Sequence, residues 1–397
     1  MNNIYKVDIA IFGAGISGLW LFNSLKAKGY NVILIENTAI GGHQTMASQG
    51  MIHGGQRYTL QGALSSHSES IATMPKIWDE CLEGTRNPNL KNVQILSKKQ
   101  YLWSNGGFTS NVTAFFASKA MNSRVNALDQ ENLPPIFKSS NKFKGKVYEL
   151  DEVVIDIKSL AESLSYQFIK DIYKADEIIY NVENNKLVNV ALENAGEKII
   201  LSAKKYIFTS GKGNEKIANL ISPKKQITQA RPIKQIMVRE VEYPLYAHCI
   251  TTDPRPRVTI SAHPLDNGKY VWYLGGLVAV YGTDKSDKEA ISFAKKELKT
   301  LFSWIDWDNK EWSTLLIDRA EPYTATGLLP EGPQVKEIDN CVLVWPTKLT
   351  FAPAITDKII NILNDKQIKE NDTLTELPFR QPEIAKYPWE ESEWKNS

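Results

Sequence analysis

At 397 residues and 42% hydrophobic content, the chain has ample material for a core, arranged either as two domains or as one body with an inserted subdomain. Its 47 basic and 45 acidic residues leave a net charge of +2, which excludes the polyelectrolyte character that bulk attraction to nucleic acid requires. Cys81, Cys249 and Cys341 are far apart and show no metal-ligand spacing, no apolar run approaches the ~18 residues of a membrane span, and the first residues lack signal-peptide features, so a reducing, cytoplasmic setting is expected, with peripheral membrane contact left open.

The first element is the most informative. Val7 to Phe12 is an apolar run broken only by Asp8 and reads as a strand buried on both faces. It empties into Gly13-x-Gly15-x-x-Gly18, after which Leu19 to Lys28 has helical character and Gly29 closes the helix. Asn31 to Glu36 supplies a second buried strand that ends in a carboxylate. In such a β-turn-α unit Gly13 permits the tight turn, Gly15 lets a pyrophosphate approach the backbone, and Gly18 lets helix and strand pack closely. The helix N-terminus, opening through Ile16 and Ser17, offers N–H groups and partial positive charge to phosphates, and Glu36 can accept hydrogen bonds from ribose hydroxyls. Strand, triplet, helix, strand and terminal acid occur in register, which a merely structural glycine turn would not require.

After Glu36 the chain turns small and polar through Gly41, Gly42, Gln44, Thr45, Ser48 and Gly50, and continues as Ile52-His53-Gly54-Gly55-Gln56-Arg57-Tyr58. Five glycines between positions 41 and 55 expose main-chain N–H groups to something flat or phosphorylated. The segment Ile52-His53-Gly54-Gly55-x-Arg57-Tyr58, placed this far behind the fingerprint, resembles the flavin-facing loop of FAD-dependent glycerol-3-phosphate dehydrogenases. Its continuation, Gln61-Gly62-Ala63-Leu64, is similar to that of L-2-hydroxyglutarate oxidases. Both groups belong to the D-amino-acid-oxidase-like flavoproteins. The resemblance implies FAD as cofactor and a Rossmann-type α/β FAD-binding domain with an inserted, mostly antiparallel β substrate domain. The expected FAD-binding domain is discontinuous (1–75, 150–230 and 335–370). The substrate domain then takes 76–149 and 231–334, and 371–397 forms a C-terminal tail.

Further along, helical spacing runs through 64–82, strands are expected at Val93 to Leu96 and Tyr101 to Trp103, and Pro134-Pro135 breaks a mixed stretch. Val153 to Asp156 precedes a helix expected from Lys158 to about Tyr173, with Asp156 as its cap. Three short strands follow at 177–182, 186–192 and 198–201. A separate buried strand, Lys205 to Thr209, then opens into Ser210-Gly211-Lys212-Gly213, a turn that closes on the FAD in the family it resembles. Lys216 stands where a second fingerprint would need glycine, so a nicotinamide site is not supported, and electrons are expected to leave to oxygen, a quinone or a protein carrier.

Residues 231–320 read as antiparallel sheet, with strands at Ile236 to Glu242, Arg257 to Ser261 and Tyr270 to Val280. A charged helix, Lys285 to Phe302, buries Ala290, Ile291, Ala294, Leu298 and Leu301. Leu315 to Glu321, with Arg319 ahead of Pro322, is similar to the Gly-x-Arg-Pro strand that supplies the family's substrate-binding arginine. Val342 to Thr350 resembles the Gly-Gly-Lys-Leu-Thr turn of the glycerol-3-phosphate dehydrogenases and places Lys348, Leu349 and Thr350 at the flavin, Thr350 as the natural N-cap of a helix from Phe351 to Leu363. Pro346-Thr347 replaces the paired glycines, and Arg231-Pro-Ile-Lys-Gln lacks the Lys-Gly and nearby histidine of those dehydrogenases, which weakens the case for a phosphate-bearing substrate.

The expected enzyme is an FAD-dependent oxidoreductase that takes hydride from a small anionic hydroxy compound, a 2-hydroxy acid or glycerol 3-phosphate. Arg319 and Arg57 could hold the anion through paired N–H bonds. His53 could take the hydroxyl proton or merely pack beside the flavin, Tyr58 could hydrogen-bond substrate or wall the cavity, and Lys348 would stabilise reduced flavin. An arginine-held carboxylate serves amino acids equally well, so an amino acid or amine oxidase or dehydrogenase is the nearest alternative, and an electron-transfer or assembly subunit without its own substrate is a third.

Overall fold

The structure, a computed structural model, describes residues 3–54, 73–106, 125–251, 253, 255–326, 330, 332–365 and 376–396. Two large sheets organise it. The nucleotide sheet has eight strands, with the path 334–338, 341–345, 197–208, 3–12, 32–36 and 172–174. Its centre is parallel: Asn3–Phe12 pairs with Val32–Glu36 on one side and with Glu197–Phe208 on the other. The helix Ile16–Ala27 lies against this sheet and is buried from Ile16 to Leu25, all round, which explains why its sequence is apolar on every face. With helices Ile157–Tyr166 and Ala352–Asp365 it forms one core; a second core, with Phe12, Phe208, Tyr206 and Leu343, lies on the opposite face.

The second sheet caps the first. Its nine strands run in the order 395–396, 311–322, 228–241, 270–275, 258–264, 247–249, 100–104, 146–150 and 125–127. All neighbours are antiparallel except 247–249 with 100–104. The helix Asp287–Leu301 covers one face; it begins with a capping box between Ser286 and Glu289 and buries the five expected apolar residues. Beneath it lie Ile236, Val238, Trp272, Leu274 and Trp312.

Four expectations are corrected. The helix after Asp156, which does cap it by accepting from Ser159 N–H at 2.8 Å, ends at Tyr166; Ile172–Lys174 is instead an edge strand parallel to Val32–Glu36. The runs at 198–201 and 205–209 are one strand, Glu197–Phe208, whose polar middle is held because one edge pairs with Asn3–Phe12 along its length. The strand from Tyr270 stops at Gly275, because Gly276 turns at φ +78° into the short helix Leu277–Tyr281. Thr350 lies within a 3-10 turn, Leu349–Phe351, with Lys348 in the cap position, and its hydroxyl accepts the His53 N–H at 3.3 Å instead of capping a helix.

The C-terminal tail ties the two sheets together. Ile40 N–H donates to Glu383 O and Ala385 N–H donates to Ile40 O, at 2.8 and 2.9 Å. The tail then lays Tyr387 and Trp389 against His263 of the cap sheet and ends by pairing Lys395–Asn396 with Glu311 and Trp312. Among the described residues no helix is long and apolar enough to cross a membrane.

Candidate active site

The phosphate end is built by backbone geometry. Gly13 has φ +100°, and a Cβ there would lie 2.7 Å from Ser210 Cα; a Cβ on Gly18 would lie 1.9 Å from Gly13 O and 2.6 Å from Thr209 Oγ1. The Ser210 turn, the fingerprint turn and the helix therefore meet at distances only glycine permits. Ile16 N–H donates to Thr45 Oγ1 at 2.9 Å, and Gln44 Nε2 would lie 3.1 Å from a Cβ on Gly211, so the loop after Glu36 folds back over the helix start.

Glu36 is buried and fixed: Oε2 accepts Ala14 N–H at 2.7 Å, while Oε1 accepts the N–H groups of Asn37 and Thr38 and the Thr38 hydroxyl. The helix start carries no side-chain cap and no acidic residue in its first turn, and the buried Ser17 hydroxyl has no hydrogen-bond partner. The Ser48 hydroxyl is likewise buried and unpartnered. Orphan donors at a positive helix end, behind a locked carboxylate, fit a pyrophosphate flanked by a ribose.

The second cluster lies where the loop enters the cap. Gly50, at φ +68°, has Ile155 O only 2.1 Å from where a Cβ would stand, and Ile155 N–H donates to Gly50 O at 2.9 Å. Its role is thus to let two backbones touch. Ile52 O accepts Gln100 Nε2–H at 2.9 Å, and Gly54 N–H donates to the buried Glu152 carboxylate at 2.6 Å, so His53 is pinned from both sides while its own N–H meets Thr350. Thr350 O in turn accepts from Trp78 Nε1 at 3.0 Å. The preceding turn carries Thr347 at φ +63°, an uncommon conformation for a β-branched residue, held by its hydroxyl on Pro346 O and Gly332 O. Lys348 Nζ is withdrawn from solvent and lies 5.7 Å from the centre of the Phe351 ring. Arg57 and Tyr58 lie outside the described residues.

The third cluster is on the cap sheet. Arg319 stands directly opposite Arg231 in the register of the long pair 228–241 and 311–322, so both side chains project from one face, with Glu321 two residues on. The same alternation puts Met237 and its partner Tyr273 on that face, along with Gly275. Gln49 marks where this face points: its amide donates to Tyr273 O at 2.8 Å, accepts from Thr259 Oγ1 at 2.8 Å, and would crowd a Cβ on Gly275. The face bearing Arg319 is therefore the one turned towards the loop that carries Ser48, Gly50 and His53.

Arg231 grips Glu321 with two nitrogens, Nε at 3.0 Å from Oε2 and Nη2 at 2.8 Å from Oε1. Arg319 donates Nε–H to Arg231 O at 3.2 Å and makes no ion pair among the described residues. Burial, and then the neighbouring Arg231 charge, hold its guanidinium below the usual range, with Glu321 opposing them.

Sequence reasoning did not single out Gln49, Gln100, Glu152 or the Arg231–Glu321 pair. Glu321 carried the one available signal, since it and not Arg319 directly precedes Pro322. The other three act through contacts 48 or more residues away in sequence, for which no local pattern exists.

These features can be set against known proteins. The family model "FAD dependent oxidoreductase" (DAO) matches residues 8–346. The chain belongs to the DAO family of FAD-dependent oxidoreductases. It is 38% identical over 394 residues to "Probable FAD-dependent oxidoreductase PA4991" of Pseudomonas aeruginosa, covering 98% of this chain and 99% of that one. The crystal structure of that protein superimposes with a TM-score of 0.84 at 32% identity, over 98% of this chain and 99% of the other. The fold is shared with glycine oxidase from Bacillus cereus (TM-score 0.60, 17% identity, 91% and 96% covered). It is shared too with L-alpha-glycerophosphate oxidase from Mycoplasma pneumoniae, solved with FAD bound (TM-score 0.62, 16% identity, 96% and 98% covered). The cofactor of this DAO-family enzyme is FAD, for which the fingerprint turn, Glu36 and the Ser210 turn are suitably arranged.

Proposed function

We propose that this enzyme oxidises a small carboxylate-bearing hydroxy compound, a 2-hydroxy acid in preference to glycerol 3-phosphate. The observation that carries the reading is the charge on the cap face: Arg231 is neutralised by Glu321, while Arg319, half-buried and turned towards the His53 loop, has no carboxylate among the described residues. One uncompensated guanidinium suits a monoanionic carboxylate, which it can grip through paired N–H bonds, better than a dianionic phosphate.

Bound FAD supplies the hydride acceptor. Around it Arg319 holds the substrate carboxylate and so orients the carbon that carries the hydroxyl. His53, whose backbone is fixed by Thr350 and by the clamped carbonyl and amide on either side, takes the hydroxyl proton on its imidazole. Lys348, its ammonium drawn in from solvent, places positive charge beside the turn that faces the cofactor. Arg57, the other candidate for the anion, and Tyr58, the candidate hydrogen-bonding residue, lie outside the described residues and enter no step here. The electron acceptor is oxygen, a quinone or a protein carrier.

The test is anaerobic mixing of the yellow holoenzyme with a panel of 2-hydroxy acids, glycerol 3-phosphate and amino acids, following loss of flavin colour. Bleaching by a hydroxy acid is expected. Bleaching by amino acids alone would move the enzyme to an amino acid oxidase or dehydrogenase, by glycerol 3-phosphate alone would overturn the charge argument, and by nothing would favour an electron-transfer or assembly subunit.

A further inference from the structure

We propose that Glu321 sets the charge selectivity of the substrate site. By holding Arg231 in a two-pronged ion pair, it leaves a single uncompensated guanidinium, Arg319, on that face and restricts the site to substrates with one negative charge. This rests on the reading of Arg319 as the substrate cation.

Arg231 and Arg319 face each other directly across two antiparallel strands, an arrangement that like charges disfavour. A carboxylate between them could serve either. Glu321 neighbours Arg319 on its own strand, yet its oxygens accept from Arg231 Nε and Nη2 at 2.8 to 3.2 Å, a fork-to-fork contact, and none accepts from Arg319. Arg319 instead spends only its Nε–H, on the Arg231 carbonyl at 3.2 Å, so among the described residues its terminal nitrogens have no protein acceptor. Glu321 is 2% exposed, so its charge is little screened and its choice of partner matters. The trio thus carries a net charge of +1, supplied as one committed and one available guanidinium. Removing the carboxylate would offer two guanidiniums; removing Arg231 would release the carboxylate to Arg319 and offer none.

The experiment is calorimetric titration of holoenzyme with propionate and with malonate, a monoanion and a dianion of similar size. Native enzyme is expected to prefer propionate. Glu321→Gln should raise affinity for malonate relative to propionate by about tenfold or more, and Glu321→Asp should restore the native order. Arg231→Gln, which keeps both Glu321 and Arg319, should weaken propionate and malonate alike by at least about tenfold at native FAD content, whereas loss of a structural pair alone would leave Arg319 as available to the anion as before. Arg231→Gln decides the matter by itself should Glu321→Gln not fold. If Arg319→Ala abolishes binding while the anion preference in Glu321→Gln and propionate affinity in Arg231→Gln stay native, this inference fails and the substrate reading stands. If Arg319→Ala binds both anions as the native enzyme does, both fall.

Discussion

The phosphate end and the cap face handle charge in contrasting ways. At the phosphate end the work is done by backbone: a glycine turn, a helix start and one acid locked onto four neighbouring donors, three of them within two residues of it. On the cap face it is done by long side chains brought together by strand register, Arg231 and Arg319 lying 88 residues apart in sequence. The first arrangement tolerates almost no added atom. The second tolerates substitution structurally but reads every change in charge. Retention of cofactor and turnover of substrate should therefore separate under mutation.

The largest effect is expected from Gly18→Ala. A methyl group 1.9 Å from a backbone oxygen must push helix from strand, which should cost about 3 kcal/mol or more and yield protein that is colourless or insoluble. Flavin content and the thermal midpoint check it; a yellow protein of native stability would remove the packing role given to Gly18. Glu36→Arg should also abolish FAD retention, because Ala14 N–H loses its acceptor and a cation replaces the ribose partner.

Next comes the loop between the two ends. His53→Asn should keep FAD yet slow flavin reduction by a hydroxy acid about 10²- to 10⁴-fold, and abolish the single ionisation along which the native rate rises with pH. An unaltered profile in stopped-flow reduction would leave His53 as packing.

The effect confined to acid pH, and absent at neutrality, belongs to the tail. Trp389 stacks on Tyr387 and lies tilted against His263, with ring centres 4.2 and 4.4 Å apart, and burial holds His263 down to about 4. A histidine whose folded pKa lies below its unfolded value of ~6.5 favours unfolding once protonation begins. Its contribution is complete above about pH 6.5 and is lost as pH falls towards 4, by at most about 3 kcal/mol. His263→Gln should flatten stability in that window in denaturant titrations, without changing FAD content. A variant as acid-sensitive as the native protein would show that other groups govern the acid limb.

How much of this was legible in the sequence follows the same division. The fingerprint unit could be read because its parts are neighbours in the chain and each residue type has a local physical reason. So could the helix Asp287–Leu301, expected at Lys285 to Phe302, whose apolar stripe announces it, although its capping box was not read. The continuity of Glu197–Phe208 could not, since Ser202 and Lys204 look like a break until the pairing strand is known. Nor could the commitment of Glu321 to Arg231, which depends on register, or the clamp of Gln100 and Glu152 on the His53 loop. The tail from Pro378, rich in Pro, Trp and Glu, reads as a strap packed on the surface, but its anchoring at Ile40 and His263 emerges only from the fold.

The most direct test of the division is Arg319→Ala, purified as holoenzyme, with FAD per chain and the anaerobic rate of flavin reduction measured on the same sample. A lost charged hydrogen bond of about 1.5–3 kcal/mol, with misorientation added, predicts reduction slowed ten- to several-hundredfold at native FAD content. Unchanged reduction, or loss of the flavin together with the rate, would contradict the assignment of this arginine to the substrate.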